Sequence, residues 1–494
     1  MHEFIVPARR HVKVQSGVHD CFSWPLLCIP RRCRLKHEFF LAVEDVMDIA
    51  KLLARGRPSI CATTANQLIA DIEYSPLEEE CNLSYSRVWR TWDYSYPLSP
   101  HLPLKEGQAP YRVIRDHLLN LLPEGEARGQ AARRYQLSHA NACAMAVYLC
   151  REPAGAVGFD LDVEELGVPD DRPPVVRELS TSELSKRIRH RGTIPFAFWD
   201  DVFYQSLAGV QDKLQVRLEG DDLQFVGGCL NSSHILKPEP HGQSTRRMVA
   251  NEHFCISLAR TVGLPVANVE IRRVPEPVLL VERFDRARNI VRHPEMVERV
   301  HTLDACQALG EHPFFKYECP EGHGGGYRER RTGIGFREMF ELDRHFMVSL
   351  EGRMAIVRWA LFNMLIGNSD AHAKNFSFFQ HRLGIMPAPA YDLVCTRVYD
   401  MGSEMAMAFG NAFLVEDVVA DDLTIFAEEA GIARDTLVEE LKALATAVRA
   451  HAPILAKSDV YTQQERTLLR KIATSIEGRA VHLLKVASES PGKE

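Results

Sequence analysis

The sequence predicts an α+β fold in two lobes, a strand-rich N-terminal lobe and a mainly helical C-terminal lobe. Three observations predict it. Residues 200–285 alternate strand, helix and strand, whereas beyond Asp285 the apolar residues recur at helical spacing. The run Met354-Ala-Ile-Val-Arg-Trp-Ala-Leu-Phe-Asn-Met-Leu-Ile366 reads as a buried helix that Gly367 stops. A charged loop follows it directly, which is how a rigid scaffold presents reactive groups.

Taken in order, residues 1–46 carry clustered Arg9, Arg10, Arg31, Arg32, Arg34 and Lys36 and read as an atypical extension, with Met47 a credible alternative start. Residues 47–165 read as a small strand-rich subdomain. Within it, Asn82-Leu-Ser-Tyr-Ser-Arg-Val-Trp89 and Pro97-Leu-Ser-Pro-His-Leu-Pro103 look like strands and turns. The proline- and acid-rich connector Val168–Pro174 precedes a second unit over 175–285. There, Ser233-His-Ile-Leu-Lys237 fits a strand closed by Pro238, and Met248–Arg260 fits an amphipathic helix with Glu252 near its start. Pro275-Glu-Pro-Val-Leu-Leu-Val-Glu282-Arg-Phe284 reads as a strand leaving into a connector. Residues 286–494 form the helical lobe, with helices from Thr424, from Thr436 and across Gln463–Val486.

The chemistry centres on Gly367-Asn-Ser-Asp370-Ala-His372-Ala-Lys374-Asn375. An Asp followed five positions later by an Asn is the spacing of a kinase catalytic loop. In such a loop the Asp orients the attacking hydroxyl and the Asn oxygen holds magnesium, which prefers hard oxygen ligands. Ala390-Tyr-Asp392 then offers a second carboxylate seventeen residues after Asn375, where a metal-binding Asp is expected. Upstream, Lys237 and Glu252 stand in the order of the strand lysine and helix glutamate that position ATP phosphates. The predicted fold is therefore kinase-like. Glu282 and Phe284 sit where a hinge would meet adenine, and they fit equally well as ordinary strand-end residues. No Walker loop and no ordinary G-x-G-x-x-G occurs. Gln205-Ser206-Leu-Ala208-Gly209-Val-Gln211-Asp-Lys213 is a turn whose small residues would let backbone amides approach phosphate.

This ordered set resembles the HipA-type serine/threonine-protein kinase toxins of bacterial type II toxin–antitoxin modules. The matching pieces are Ser206–Lys213, His234–Pro238, Asn251-Glu252, Leu280–Arg286, Arg299–Gln307, Lys316-Tyr-Glu318, Gly367–Asn375 and Tyr391-Asp392-Leu. Leu121-Leu-Pro-Glu124-Gly-Glu-Ala-Arg128 looks like the family's small N-terminal segment, and Ala154–Gly158 resembles the strand that follows it. The resemblance implies Asp370 as catalytic base or orienter, and Asn375 and Asp392 as magnesium ligands. It implies ATP contacts from Ser206, Ala208, Gly209, Gln211, Lys213, Lys237, Glu252, Glu282, Phe284, His372 and Lys374. Ser206 would be an autophosphorylation site; a phosphate there brings about −1.5 to −2 charges beside the bound triphosphate. The resemblance further implies a protein substrate such as an aminoacyl-tRNA synthetase. A helix-turn-helix antitoxin would be the partner, with operator DNA reached only through it. Asp212 departs from the family pattern, as does the glycine-rich Glu321–Gly326.

Composition agrees with a cytoplasmic enzyme. A net charge of −7 argues against a chain-wide nucleic-acid surface. Twelve cysteines are scattered without C-x-x-C pairs, and Cys21, Cys28 and Cys33 with His19 and His37 fit no zinc-finger spacing. No apolar run approaches the roughly 20 residues that span a bilayer, so no membrane partner is expected. Two other classes fit the same loop: a lipid or small-molecule kinase, and an inactive ATP-binding module.

Overall fold

The computed structural model describes residues 59–492, apart from 65–66, 76–79, 106–108, 140, 151, 162–172, 194–195, 201, 205–208, 210, 243, 289–296, 323–329 and 400. The readings for residues 1–46, Ser206 and Ala208 lie outside these, as do most of the connector and of the glycine-rich stretch.

In the first unit, Ser59–Thr64 (β1), Gln67–Ser75 (β2), Glu80–Tyr85 (β3) and Gly158–Leu161 (β4) form an antiparallel sheet in the order β3-β2-β1-β4. Between β3 and β4 run Arg87–Thr91 (α1), Tyr111–Leu121 (α2), Gly125–Arg134 (α3) and Ala142–Leu149 (α4). Helices thus share this unit with strands. The strand-and-turn reading of Asn82–Trp89 holds only to Tyr85. There Ser86 Oγ accepts from the Trp89 backbone at 3.1 Å and starts α1, a helix N-cap that supplies an acceptor to an otherwise orphaned amide. Trp89 is buried with Ile69, Ile72, Leu118, Met145 and Phe159.

The second unit is a six-stranded antiparallel sheet. Its elements are Val175–Leu179 (β5), Thr181–His190 (α5), the short hairpin Phe198–Trp199 (β6) and Val202–Phe203 (β7), Leu214–Glu219 (β8), Asp222–Gly227 (β9), His234–Pro238 (β10), Met248–Thr261 (α6), Val269–Arg273 (β11) and Pro277–Glu282 (β12). The strand order is β11-β12-β10-β8-β9-β5, with β6 and β7 outside it. Side chains alternate across a strand, and both faces are covered here. Val278 and Leu280 join Leu214, Val216, Phe225 and Leu236 on one side. Leu279 and Val281 meet Ile235 and the α6 residue Val249 on the other. That is why β12 reads as one unbroken apolar run. The same alternation puts Lys237 on the Ile235 side of β10, facing α6.

The third part begins with the hairpin Arg286–Arg288 (β13) and Val297–Arg299 (β14). A small sheet of Thr302–Asp304 (β15), Ser377–His381 (β16) and Gly384–Pro387 (β17) follows. Around it lie Ala305–Leu309 (α7), Phe336–Glu341 (α8), Ser349–Ile366 (α9), Ala420–Ala430 (α10), Arg434–Leu455 (α11) and Gln463–Val486 (α12). From α9, Leu361, Phe362 and Leu365 are buried among Phe426, Leu437 and Leu469. None of the helices among the described residues is long and apolar enough to cross a membrane.

A buried ionic knot ties the first unit to the strand end after β12. Arg283 donates to Asp285 at 2.9 and 2.8 Å, to the Pro153 carbonyl at 2.9 Å and to Ser232 Oγ at 3.1 Å. Glu152 accepts from the Ser232 amide at 2.6 Å, and the Gly155 amide donates to Asp285 at 2.7 Å. Arg286 reaches the Gly155 carbonyl at 3.1 Å and Asp285 at 2.9 Å. Burial works against the Asp285 carboxylate, but two guanidiniums outweigh it and hold its pKa far below the usual range.

Candidate active site

Lys237, Glu252 and Asp392 form one three-way contact. The ammonium of Lys237 donates to Glu252 Oε1 at 2.7 Å and to Asp392 Oδ1 at 2.6 Å. The strand lysine and helix glutamate thus meet as the sequence order implied. Burial disfavours the ammonium, yet the two carboxylates outweigh it and raise its pKa, so it stays charged. Burial likewise opposes the Asp392 carboxylate, but Lys237 and then Lys213 bring its pKa down to about 2. Glu252 moves up, because burial exceeds the pull of Lys237. Asp392 has φ of 56°, a left-handed conformation uncommon for a non-glycine residue and tolerated best by Asp and Asn. Asn251, beside Glu252, fixes the segment that follows. Its amide donates to the Cys395 carbonyl and accepts from the Cys395 amide, each at 3.0 Å.

The catalytic-type loop hangs from the end of α9. Gly367 takes φ of 71° as the C-terminal cap, and a Cβ there would lie 2.7 Å from the Arg479 guanidinium carbon. Arg479, from α12, donates to the Leu365 and Ile366 carbonyls at 2.9 and 2.8 Å. A cation on the last carbonyls of a helix satisfies them and complements the helix dipole. Thr396 Oγ1 accepts from the Ser369 amide at 2.7 Å, and Asn368 Oδ1 accepts from the Asp370 amide at 3.1 Å. Asn375 closes the loop by donating its carboxamide nitrogen to the Asp370 carbonyl at 2.9 Å.

Asp370 is exposed, and its Oδ1 accepts from the Tyr317 hydroxyl at 2.5 Å. Packing around the carboxyl raises its pKa against the opposing pull of that hydrogen bond. His372 is buried, gives its amide to the Asp370 carbonyl at 2.8 Å and packs edge-on to Tyr317 with centroids 5.0 Å apart. Burial lowers its pKa to about 3, so it is neutral at physiological pH.

Gly209 has φ of 109°, and a Cβ on it would come within 2.6 Å of the Lys213 ammonium. Only glycine fits there. Burial, then the neighbouring Lys237 charge, lowers Lys213 to about 8. Gln211 is half-buried in the same loop, and Asp212 turns toward Arg191 at 3.6 Å. The Glu124 amide donates to the Gly209 carbonyl at 3.4 Å, while its carboxylate accepts from Lys316 at 2.5 Å.

Two parts of the predicted set sit differently from the rest. Lys374 is turned away from the cluster: its ammonium donates to the Asn120 carbonyl at 2.8 Å and to Asp304 at 2.5 Å. The amides of Glu282 and Arg283 are bonded to the Asn268 and Ser233 carbonyls at 2.8 and 3.0 Å. The Glu282 carboxylate accepts from Asn268 at 2.8 Å. Phe284 is half-buried against Tyr391, centroids 5.6 Å apart, beside Ile235 and Val281. Sequence reading missed Tyr317, Glu124 and Arg479 as parts of the site. For the first two the signal was the quoted strings Lys316-Tyr-Glu and Leu-Leu-Pro-Glu124. Arg479 gave none.

Two known families match most of the chain. The HipA N-terminal domain matches residues 62–160, and the HipA-like C-terminal domain matches residues 205–452. The serine/threonine-protein kinase toxin HipA of Shewanella oneidensis is 31% identical over 425 residues, 85% of this chain and 95% of that protein. Y4mE of Sinorhizobium fredii is 32% identical over 412 residues, 81% of this chain and 93% of its own length. A chain in the solved complex of the Shewanella oneidensis toxin–antitoxin system HipA, HipB and operator DNA matches with a TM-score of 0.77 and 29% identity. That match covers 87% of this chain and 98% of that one.

Proposed function

The chain belongs to the HipA family of serine/threonine-protein kinase toxins, and on that premise we propose that it transfers the γ-phosphoryl of Mg-ATP to a serine or threonine hydroxyl of a protein. The observation that carries the reading is the shared Lys237 contact to Glu252 and Asp392, set beside a loop that presents Asp370 and Asn375.

Asp370 orients the acceptor hydroxyl and takes its proton. Lys237 and Lys213 face the phosphates, with Gly209 and Gln211 in the loop that covers them; Ser206 and Ala208 belong to the same loop. Asn375 and Asp392 are the metal ligands of this reading. The Asn375 nitrogen is engaged by the Asp370 carbonyl, which leaves its carboxamide oxygen as the donor for a hard cation. One carboxylate and one amide oxygen suit magnesium, which keeps several waters and shares phosphate oxygens. Bound Mg-ATP supplies the electrophilic phosphorus and the neutralising charge for transfer. Phe284 offers an apolar wall for the base, with Glu282 at the same strand end, and His372 orders the loop. Lys374 acts through its hold on Asp304 and Asn120.

In this reading residues 47–165 are the N-terminal subdomain, 175–285 the ATP-binding lobe and 286–494 the catalytic lobe. The protein substrate is a translation component such as an aminoacyl-tRNA synthetase, and the site of action is the cytoplasm. A helix-turn-helix antitoxin restrains the kinase and carries it to operator DNA, as supported by the partners named in the related complex.

The test is autophosphorylation with labelled ATP and Mg²⁺, wild type against Asp370→Asn, with phosphosites mapped by mass spectrometry. Label on Ser206 in the wild type, absent from the variant, is the expected result. Folded protein that binds ATP yet takes no label and phosphorylates no protein would overturn the reading in favour of an inactive ATP-binding module. Transfer to lipid or a small molecule alone would overturn it in favour of the other kinase class.

A further inference from the structure

We propose that Tyr317 is a positioning residue for the transfer step: its hydroxyl holds the Asp370 carboxylate in the orientation that receives the acceptor hydroxyl. The inference rests on the reading of Asp370 as the base. Three observations carry it. The Tyr317 hydroxyl donates to Asp370 Oδ1 at 2.5 Å, and among the described residues it is the side chain found on that carboxylate. The Tyr317 ring is itself fixed, edge-on to the buried His372 at 5.0 Å. Its backbone is fixed as well. Lys316, the preceding residue, is paired with Glu124 at 2.5 Å, and the Glu318 amide donates to the Ala406 carbonyl at 3.1 Å.

The need for such a group follows from geometry. Asp370 is exposed, and a carboxylate on a free χ2 rotor samples a broad, twofold distribution. A base must lie within hydrogen-bond reach of the hydroxyl it serves, and small misplacements lower rate steeply. A donor on Oδ1 stops the rotation and leaves Oδ2 for the acceptor. The Tyr317 hydroxyl is engaged by Asp370, so the role assigned to it is exerted through that carboxylate.

Tyr317→Phe separates the hydroxyl from the ring, because the contact with His372 is kept. The expected result is a fall of about tenfold in kcat for phosphorylation of a protein acceptor, the effect of losing one charge-assisted hydrogen bond. KM for ATP, affinity for Mg-ATP and the thermal unfolding midpoint should stay within error. A kcat equal to wild type would overturn the inference. So would a higher kcat, which would make the hydroxyl an inhibitor that the acceptor displaces. A second variant, Tyr317→Leu, removes ring and hydroxyl together; if it alone is impaired, the ring matters and the hydroxyl role falls. Asp370→Asn run in parallel keeps the two readings apart. Activity retained by Asp370→Asn refutes the base assignment itself. Activity lost there but unchanged in Tyr317→Phe refutes only the role of Tyr317.

Discussion

Glu124 and Lys316 are 192 positions apart in the chain, and their side chains meet at 2.5 Å. The first belongs to the turn between α2 and α3, the second to the segment that carries Tyr317. Because the Glu124 amide also donates to the Gly209 carbonyl, one residue of the first unit touches both the phosphate-type loop and the neighbourhood of Asp370.

Glu124→Gln keeps the shape of the side chain and removes its charge. The pair is mostly buried, with 22% and 14% of the two side chains exposed, so its loss exceeds that of a surface ion pair. A drop of about 1–3 kcal/mol in unfolding free energy is expected from urea melts. An unchanged midpoint would show that the bridge adds nothing to folding.

Lys237→Met leaves Glu252 and Asp392 without the cation between them. Removing one member of a buried ionic group costs about 3–5 kcal/mol, and the variant should lose Mg-ATP binding by calorimetry. The two carboxylates then resist ionisation, so their folded pKa values rise above the unfolded ones. The folded state takes up more protons as pH falls, and the variant should regain stability between pH 7 and pH 5. Melts that worsen over that range would contradict the arrangement.

Lys374→Met tests the opposite assignment. Its side chain is 4% exposed and its ammonium is paired with Asp304, so a loss of about 3 kcal/mol in stability is expected. Affinity for Mg-ATP in the folded fraction should hold. Weaker nucleotide binding at equal folding would return Lys374 to the phosphate contacts.

Two buried histidines make acid a probe of the seam around the first unit. His117, on α2, has its pKa lowered to about 3 by burial and then by His301 and Lys374. Burial lowers His301 to about 4, while a contact with the Leu98 carbonyl opposes the shift. Both folded values lie below the ordinary 6.5, so the unfolded chain binds more protons in the window between. Stability is therefore full above pH 6.5 and falls as pH drops through that window, by about 2 kcal/mol per histidine at pH 5. Urea midpoints at pH 7 and pH 5 measure it. The loss between pH 7 and pH 5 should shrink in His117→Gln; a loss equal to that of the wild type would mean that this imidazole ionises freely in the folded protein.

What the sequence made legible is what lies close along the chain. The loop from Gly367 to Asn375, the helix before it and the strand ending in Lys237 all carry local periodicity and punctuation, and each forms as read. The order Lys237, Glu252, Asp370, Asp392 was enough to anticipate that Lys237 meets Glu252. The partners of Lys374 were not legible. Asn120 and Asp304 lie 254 and 70 positions away, and nothing in a single chain encodes which distant charge a lysine will face. The same holds for Arg479, one arginine among several on a surface-like helix until packing brings it under α9. Ser86 was a missed local signal: a serine ahead of Arg-Val-Trp can cap a helix, and the alternation before it masked that.

The ionic knot around Arg283 and Asp285 has a consequence for how such a chain can change over generations. Its donors and acceptors are divided between the halves. Glu152, the Pro153 carbonyl and the Gly155 amide come from one side of the join, while Arg283, Asp285 and Arg286 come from the other. A gene that discarded its first 160 codons would strip Arg283 of the Pro153 carbonyl and Arg286 of Glu152 and the Gly155 carbonyl, leaving Asp285 as the carboxylate that both guanidiniums share. A change at Glu152 is therefore felt across the join, at Ser232 and at Arg286 together.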